Sequence, residues 1–396
     1  MSNTGDKSVK RGEYKLLLTV FAAFYAMHCV EFIYIVYGNV MQSYGYSPEE
    51  IGKALGIFFI AIMISRPLGG WMIENLGIRR SMISGGALAL IGCAMLMLTR
   101  NLYVIYVGRA MSGLAFGAFT MGLFSYQTLV TTPENRGRFI ALTSTGGVLP
   151  TGTITPLGEW LALGGHYKTY LAIGPLFSVL CLFLGIRAPK DKAAKGSEVL
   201  KWGSYGDLIR NRPFVMLILT VTMMAIVDAS ITSFSLFSAE YGIPASYYLI
   251  SFSTTAVISR TFGARKINSL PRPYFLAPCG MLMAASLATA SALPSRASFL
   301  ICGSLFGIGI GVGFPMLLAS LADILPPELR PKGTAAALFM FDAGWSATPI
   351  LIGYMTPYLG RGLTFITLAL ISLTVLAALT VFYWFPRMFS ERRAAK

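Results

Sequence analysis

Residues 64–80 read ISRPLGGWMIENLGIRR, and residues 258–274 read ISRTFGARKINSLPRPY. Each run sets Ile-Ser-Arg-x-x-Gly into an apolar stretch, and the second begins 194 residues after the first. The same offset pairs Gly113 with Gly307, Gly117 with Gly311, Pro133-Glu134-x-Arg136 with Pro327-Glu328-x-Arg330, Arg138 with Lys332 and Ala141 with Ala335. A constant register across several apolar stretches and two polar connections makes the chain one unit written twice.

The nature of that unit follows from composition. Of 396 residues, 55% are hydrophobic and 12% charged, and the mean hydropathy is +0.64. Soluble domains carry about twice that charged fraction. Apolar stretches of roughly 20 residues, enough to cross the hydrocarbon core as a helix, recur from end to end. They predict twelve spans, near 15–37, 51–73, 81–99, 102–127, 139–162, 168–187, 213–237, 247–264, 273–293, 297–321, 334–357 and 363–385. The fold class is therefore an all-α integral membrane protein, two parallel six-helix bundles. The expected division is an N-terminal bundle over 1–187, a polar linker over 188–212 and a C-terminal bundle over 213–396. The polar start, MSNTGDKSVKRG, shows no removable signal peptide.

A net charge of +15 raises nucleic acid as a partner, but its placement argues for topology. Assigned to the connections and span ends, 24 Lys and Arg residues fall on the side of the two termini and five (Lys53, Arg100, Lys168, Arg296, Arg361) on the other. The positive-inside rule puts both termini in the cytoplasm, as in a bacterial-type inner membrane. The basic surface faces lipid headgroups, and no nucleic acid is called for. The five cysteines lie within or beside spans without ligand spacing, so no metal site or disulfide framework is expected. No phosphate-cradling glycine loop and no soluble nucleotide domain are present, which argues against an ATP-driven pump and leaves no cofactor to expect. Two histidines, His28 in a span and His166 in a short outer loop, do not make the interfacial cluster a membrane enzyme needs, and no sizeable soluble output domain suits a sensor.

Ionisable residues inside spans carry the functional information, because charge in hydrocarbon is costly. Glu31, Asp228 and Asp342 lie well inside spans 1, 7 and 11; Glu159, Glu240 and Asp323 read as loop or span-end acids. Tyr25, His28 and Glu31 are three apart, hence on one helix face. His28 and Glu31 titrate where a proton gradient acts, with Arg109 of span 4 as the basic group at similar depth. Asp228 has no basic neighbour in sequence, and Asp342 stands three residues before Trp345. A carboxylate with an aromatic one turn away suits a cationic or amine-bearing group, and suits a hydrogen-bonded helix contact equally. Arg66 and Arg260 each lie one turn inside the cytoplasmic end of a span, placed either to snorkel or to face inward as a gate. In span 10, GSLFGIGIGVGFPM presents Gly303, Gly307 and Gly311 as a small-residue face for close packing or bending.

Gly70, Glu74, Gly77, Arg79 and Arg80, between spans 2 and 3, resemble the loop signature of the major facilitator superfamily, with Glu for Asp and with Asn75 and Ile78 at usually basic positions. Arg109, Gly113 and Gly117 fit its Arg-x-x-x-Gly-x-x-x-Gly signature on span 4. The Gly-Pro of proton-coupled drug exporters is absent, since Thr155 precedes Pro156. Within the superfamily, the Arg-Pro-x-x-Gly of span 2 is similar to a turn in small-solute and metallophore exporters. The resemblance implies a monomeric secondary transporter that rocks two bundles about a central site facing spans 1 and 4, where Glu31 and Arg109 can pair. It implies that Glu74 latches onto the start of span 11, with Arg66, Gly70, Gly77, Arg79, Arg80 and Arg260 serving the gates. The expected activity is proton-coupled export of a small polar or zwitterionic metabolite or metallophore, held by Tyr25, Glu31, Arg109, Asp228, Asp342 and Trp345. Import of an organic acid, amino acid or sugar is the alternative.

Overall fold

A computed structural model describes residues 3–130, 139, 142–189, 205–267, 272–326 and 328–394. Only the backbone is described for 3–14, 67, 69, 70, 74, 128, 205, 263–267, 331 and 391–394. The repeated Pro133–Arg138 loop and most of the expected linker lie outside the described residues.

Span 1 is built from α1 (Asn3–Phe32), a 3-10 turn (Ile33–Val36) and α2 (Tyr37–Ser43). Spans 2, 3 and 4 are α3 (Pro48–Leu76), α4 (Ile78–Leu98) and α5 (Leu102–Val130). Span 5 is interrupted, containing α6 (Leu149–Gly152) and α7 (Ile154–Leu163), and span 6 is α8 (Tyr167–Arg187). A short α9 (Tyr205–Arg210) leads into span 7, made of α10 (Arg212–Ala229) and α11 (Ile231–Glu240). Spans 8, 9 and 10 are α12 (Ser246–Ile267), α13 (Arg272–Ala292) and α14 (Arg296–Ile324). α15 (Arg330–Leu379) holds spans 11 and 12, parted at Gly360, whose φ of 73° leaves the helical region. A π turn (Thr380–Trp384) and α16 (Phe385–Ala394) follow. No strand occurs among the described residues. Among the described residues, eight helical stretches are by themselves long and apolar enough to cross a membrane, and one of them, Lys332–Ser390, is the pair parted at Gly360. α3, α12 and the interrupted span 5 make up the remainder, consistent with twelve. Large apolar side chains such as Leu98, Phe262 and Phe382 stand exposed, as expected of surfaces solvated by lipid.

The chain forms two compact units, Met1–Tyr34 with Ile64–Lys195 and Ile35–Met63 with Gly196–Lys396. In the first, small residues bring helix backbones together. A Cβ on Gly92 would meet Ser112 Oγ at 2.6 Å and the Gly108 carbonyl at 2.8 Å, and one on Gly86 would meet the Leu182 backbone at 2.9 Å. The turn between spans 2 and 3 hinges on Gly77 at φ 82°, as its place after a helix end predicts. Arg79 Nε donates to the Ala188 carbonyl at 2.7 Å, so this arginine ties the turn to the end of span 6.

In the second unit, Gly303, Gly307 and Gly311 all face span 8, each against a carbonyl, those of Tyr248, Phe252 and Ala256. Their spacing is thus explained by close packing. Residues 35–63 seat on span 11 in the same way, because a Cβ on Gly52 or Gly56 would strike the Pro349 or Ser346 carbonyl. An aromatic cluster of Phe234, Phe237, Tyr248, Phe299 and Phe365 fills the core beside them.

Candidate functional site

Span 7 breaks two residues after Asp228. In DASITSFS, Ser230 donates to the Ile226 carbonyl at 3.1 Å and Thr232 to that of Ala229 at 2.7 Å, and Thr348 Oγ1 of span 11 reaches the Ile226 carbonyl at 3.2 Å. Hydroxyls that back-bond in this way compete with the helix ladder and bend it. Span 1 breaks at the matching place, since Val36 lies 194 residues before Ser230. There the released carbonyls are taken by other spans, Phe32 O by Thr155 Oγ1 at 3.0 Å and Ile33 O by the Tyr170 hydroxyl at 2.7 Å. Both copies therefore carry an interrupted helix next to intramembrane polar groups, the arrangement that exposes backbone to a solute in membrane transporters.

In the second unit, Asp228 is 5% exposed and Trp345 8%. Trp345 Nε1 donates to Asp228 Oδ2 at 3.2 Å. Phe59 lies on the indole at 4.9 Å between ring centroids, and Phe341 follows at 6.4 Å. Asp342, 6% exposed, is on the same helix, one turn before Trp345. Its backbone carbonyl accepts from Ser346 Oγ at 2.7 Å. Arg260 also joins this group. Its guanidinium lies over the Phe314 ring at 5.7 Å, and it attracts Asp228 electrostatically. Phe314 and Phe341 contribute to a wholly apolar cavity of about 10 Å³, no larger than one water and without polar partners for it.

In the first unit, the Tyr25 hydroxyl and Thr153 Oγ1 share a hydrogen bond of 2.9 Å. His28 Nδ1 donates to the Phe24 carbonyl at 2.7 Å, so the proton of the neutral ring is on Nδ1. Phe24, Phe32 and Phe116 surround that ring, and Gly147 leaves room for it. Glu31 is half-buried on the next turn. Arg109 is 2% exposed, with its guanidinium over the Tyr34 ring at 5.7 Å. The structure brings Tyr25 and His28 onto one face, as their spacing predicts. Arg66 is half-buried, Arg80 is exposed, and the Glu74 side chain and the surroundings of Gly70 lie outside what is described.

The sequence reading missed several partners. Glu159 is 2% exposed, although its place near a span end suggested an accessible acid. Arg361, expected in an outer loop, bonds Glu240 and reaches Gln42 Oε1 at 3.5 Å. Phe59, Tyr34 and Phe314 carry no sequence signal, because an aromatic in an apolar helix looks the same wherever it faces.

The sequence model of the Major Facilitator Superfamily matches residues 16–302 and 250–396. The chain belongs to the Major Facilitator Superfamily. Among its superfamily relatives, multidrug resistance protein MdtH of Cronobacter sakazakii is 28% identical over 187 residues, covering 46% of this chain and 45% of that protein. A mouse facilitated glucose transporter, solute carrier family 2 member 10, is 27% identical over 187 residues, 42% of this chain and 34% of that one. The chain thus spans less than half the length of these two curated relatives. An uncharacterised MFS-type transporter of Salmonella typhimurium is 23% identical over 356 residues, 83% of this chain and 86% of that one. The superfamily fold is also that of the peptide transporter POT, with a TM-score of 0.76 at 13% identity, covering 94% of both chains. The nucleoside transporter NupG gives 0.75 at 13% identity, over 93% of this chain and all of that one. This is a multi-pass membrane protein of a transporter family.

Proposed function

We propose that this protein is a proton-coupled secondary transporter that exports a small polar or zwitterionic solute by alternating access. The observation that carries the reading is Asp228: a carboxylate in the membrane interior, at a helix break, given one indole donor and an aromatic wall of Trp345, Phe59 and Phe341. A buried ionisable group of this kind inside a span is functional by default. Asp228 and Asp342 take the solute's amine, with Trp345 as an aromatic face. Tyr25, Glu31 and Arg109 are the first copy's own candidate binding groups, and His28, Glu31 and Arg109 carry the proton. Arg66, Gly70, Glu74, Gly77, Arg79 and Arg80 shape the cytoplasmic turn that gates access. Both termini are cytoplasmic, the membrane is an inner membrane and the working unit is a monomer.

The match to a multidrug resistance protein supports export, and those to facilitated glucose transporters favour import as the second reading. Proteoliposomes with an imposed pH gradient, screened against solutes while internal pH is read, separate the two. Export predicts that solute moves against the proton flux and that Glu31→Gln abolishes the linked pH change. Asp228→Asn is expected to weaken the solute's apparent affinity about tenfold or more, the loss of a charge-assisted hydrogen bond. Transport with no pH change in the wild type ends the proton-coupled reading.

A further inference from the structure

Arg260 is the residue whose position and surroundings disagree. One turn from the cytoplasmic end of its span, it has the length to reach the interface. Its neighbours Ile258 and Phe262 are exposed as lipid-facing side chains are, whereas Arg260 turns inward onto Phe314. Its Nε is sealed from solvent and has no hydrogen-bond partner. Asp228 attracts the guanidinium, but Asp228 Oδ2 accepts from Trp345, and the buried Nε donor is unmet. Guanidinium groups have five donors and no acceptor, and a buried one left short of acceptors is costly. The side chain is only half-buried, so its remaining donors are within reach from outside.

We infer that Arg260, turned inward over the Phe314 ring with its Nε donor unmet, binds a carboxylate or similar oxyanion of the transported solute. The planar fork matches two carboxylate oxygens at once, which a lysine cannot do. The opposite charges of Asp228 and Arg260 then select solutes that carry both an ammonium, for Asp228, and an anionic group, for Arg260. This deepens the proposed function and rests on its reading of Asp228. It also distinguishes Arg260 from its repeat partner Arg66, which has no such acid at the matching position, where Tyr34 replaces Asp228.

The test uses the full-length protein purified in uncharged maltoside micelles free of lipid. Its melting midpoint is titrated with a panel of amino acids and dipeptides, each paired with its own amide. At least one acid is expected to stabilise the wild type more strongly than its amide does, with about a tenfold or larger difference in apparent affinity. That preference should vanish in Arg260→Gln and be reduced in Arg260→Lys. Should the glutamine variant fail to purify, the lysine variant, which keeps the charge and loses the fork, carries the comparison. The inference is overturned if acid and amide act alike in the wild type, if no acid acts, or if the preference survives in Arg260→Gln. It is also overturned if soluble short-chain phosphatidic acid is the one anion whose effect needs Arg260, which would make the arginine a lipid contact. Asp228→Asn is read on the amides alone. Unchanged amide binding there rejects the amine role of Asp228, while the acid-over-amide comparison still judges Arg260.

Discussion

Trp345 is the residue on which the second unit's polar group turns. Its indole nitrogen supplies Asp228 with a donor and its ring supplies Phe59 with a partner, so the two functions can be separated. Trp345→Phe keeps a ring and removes the donor. Thermal unfolding of the purified variant is expected to show a loss of about 1–3 kcal/mol, the cost of leaving a buried acceptor unmet. In Trp345→Phe with Asp228→Asn the losses should not add, since the two share one interaction. Full additivity would show that the hydrogen bond contributes nothing. Asp228, Asp342, Glu31 and Arg109 were legible as candidates because charge in an apolar run is conspicuous. Their partners were not, because Phe59, Tyr34 and Phe314 are ordinary apolar-span residues until packing turns them inward.

At the scale of elements, hydropathy places the spans within a few residues of the observed helices, except that span 1 runs from Asn3 to Ser43 instead of 15–37. Length sets this: the hydrocarbon thickness demands about twenty residues whatever their identity. The breaks in spans 1 and 7 were hidden, because neither contains a proline at the break. At one, serine and threonine hydroxyls turn back on their own helix and Thr348 arrives from span 11; at the other, hydroxyls of Thr155 and Tyr170 arrive from elsewhere. The span 10 glycines, read as a face for close packing or bending, pack against span 8. Gly307→Val drives a side chain into the Phe252 carbonyl and the Thr255 hydroxyl. The expected cost is at least about 2 kcal/mol, as for overpacked cores, measured as a fall in melting midpoint. Ile308→Val, next in sequence and partly lipid-exposed, should change it by less than about 0.5 kcal/mol. Equal effects at the two positions would remove the packing explanation.

At the scale of the molecule, the repeat and the compact units partition the chain differently. The repeat assigns residues 35–63 to the first copy, and the contacts assign them to the second unit. Within that unit they are held by the glycine seam on span 11, by Asn39 accepting from Ser235 Oγ at 2.9 Å, and by Gln42 in the Arg361–Glu240 group. At the head of α3, Lys53 hydrogen-bonds Glu49 and holds its carboxyl below the usual carboxylate range, so that exposed pair survives mild acid and is lost only as the pH falls through the lowered value. Arg361 is the buried member of the set, and Arg361→Gln leaves Glu240 without its cation. Hydrogen exchange of the full-length variant should be several-fold faster over 37–43 than in the wild type, with the 303–311 stretch unchanged as an internal reference. Equal exchange over 37–43 would mean that the glycine seam alone seats this segment.

The order of apolar and charged residues was sufficient to determine the membrane class and the doubled six-span plan. These depend on local transfer free energies and a fixed register of 194 residues, and both are properties of the chain as written. Which groups meet was decided by tertiary structure alone. Asp228 and Trp345 lie 117 positions apart, and Arg361 and Glu240 lie 121 apart. A helix shows in its sequence how far along the membrane a side chain lies, but the direction that side chain takes around the axis has meaning only once neighbouring helices are packed against it.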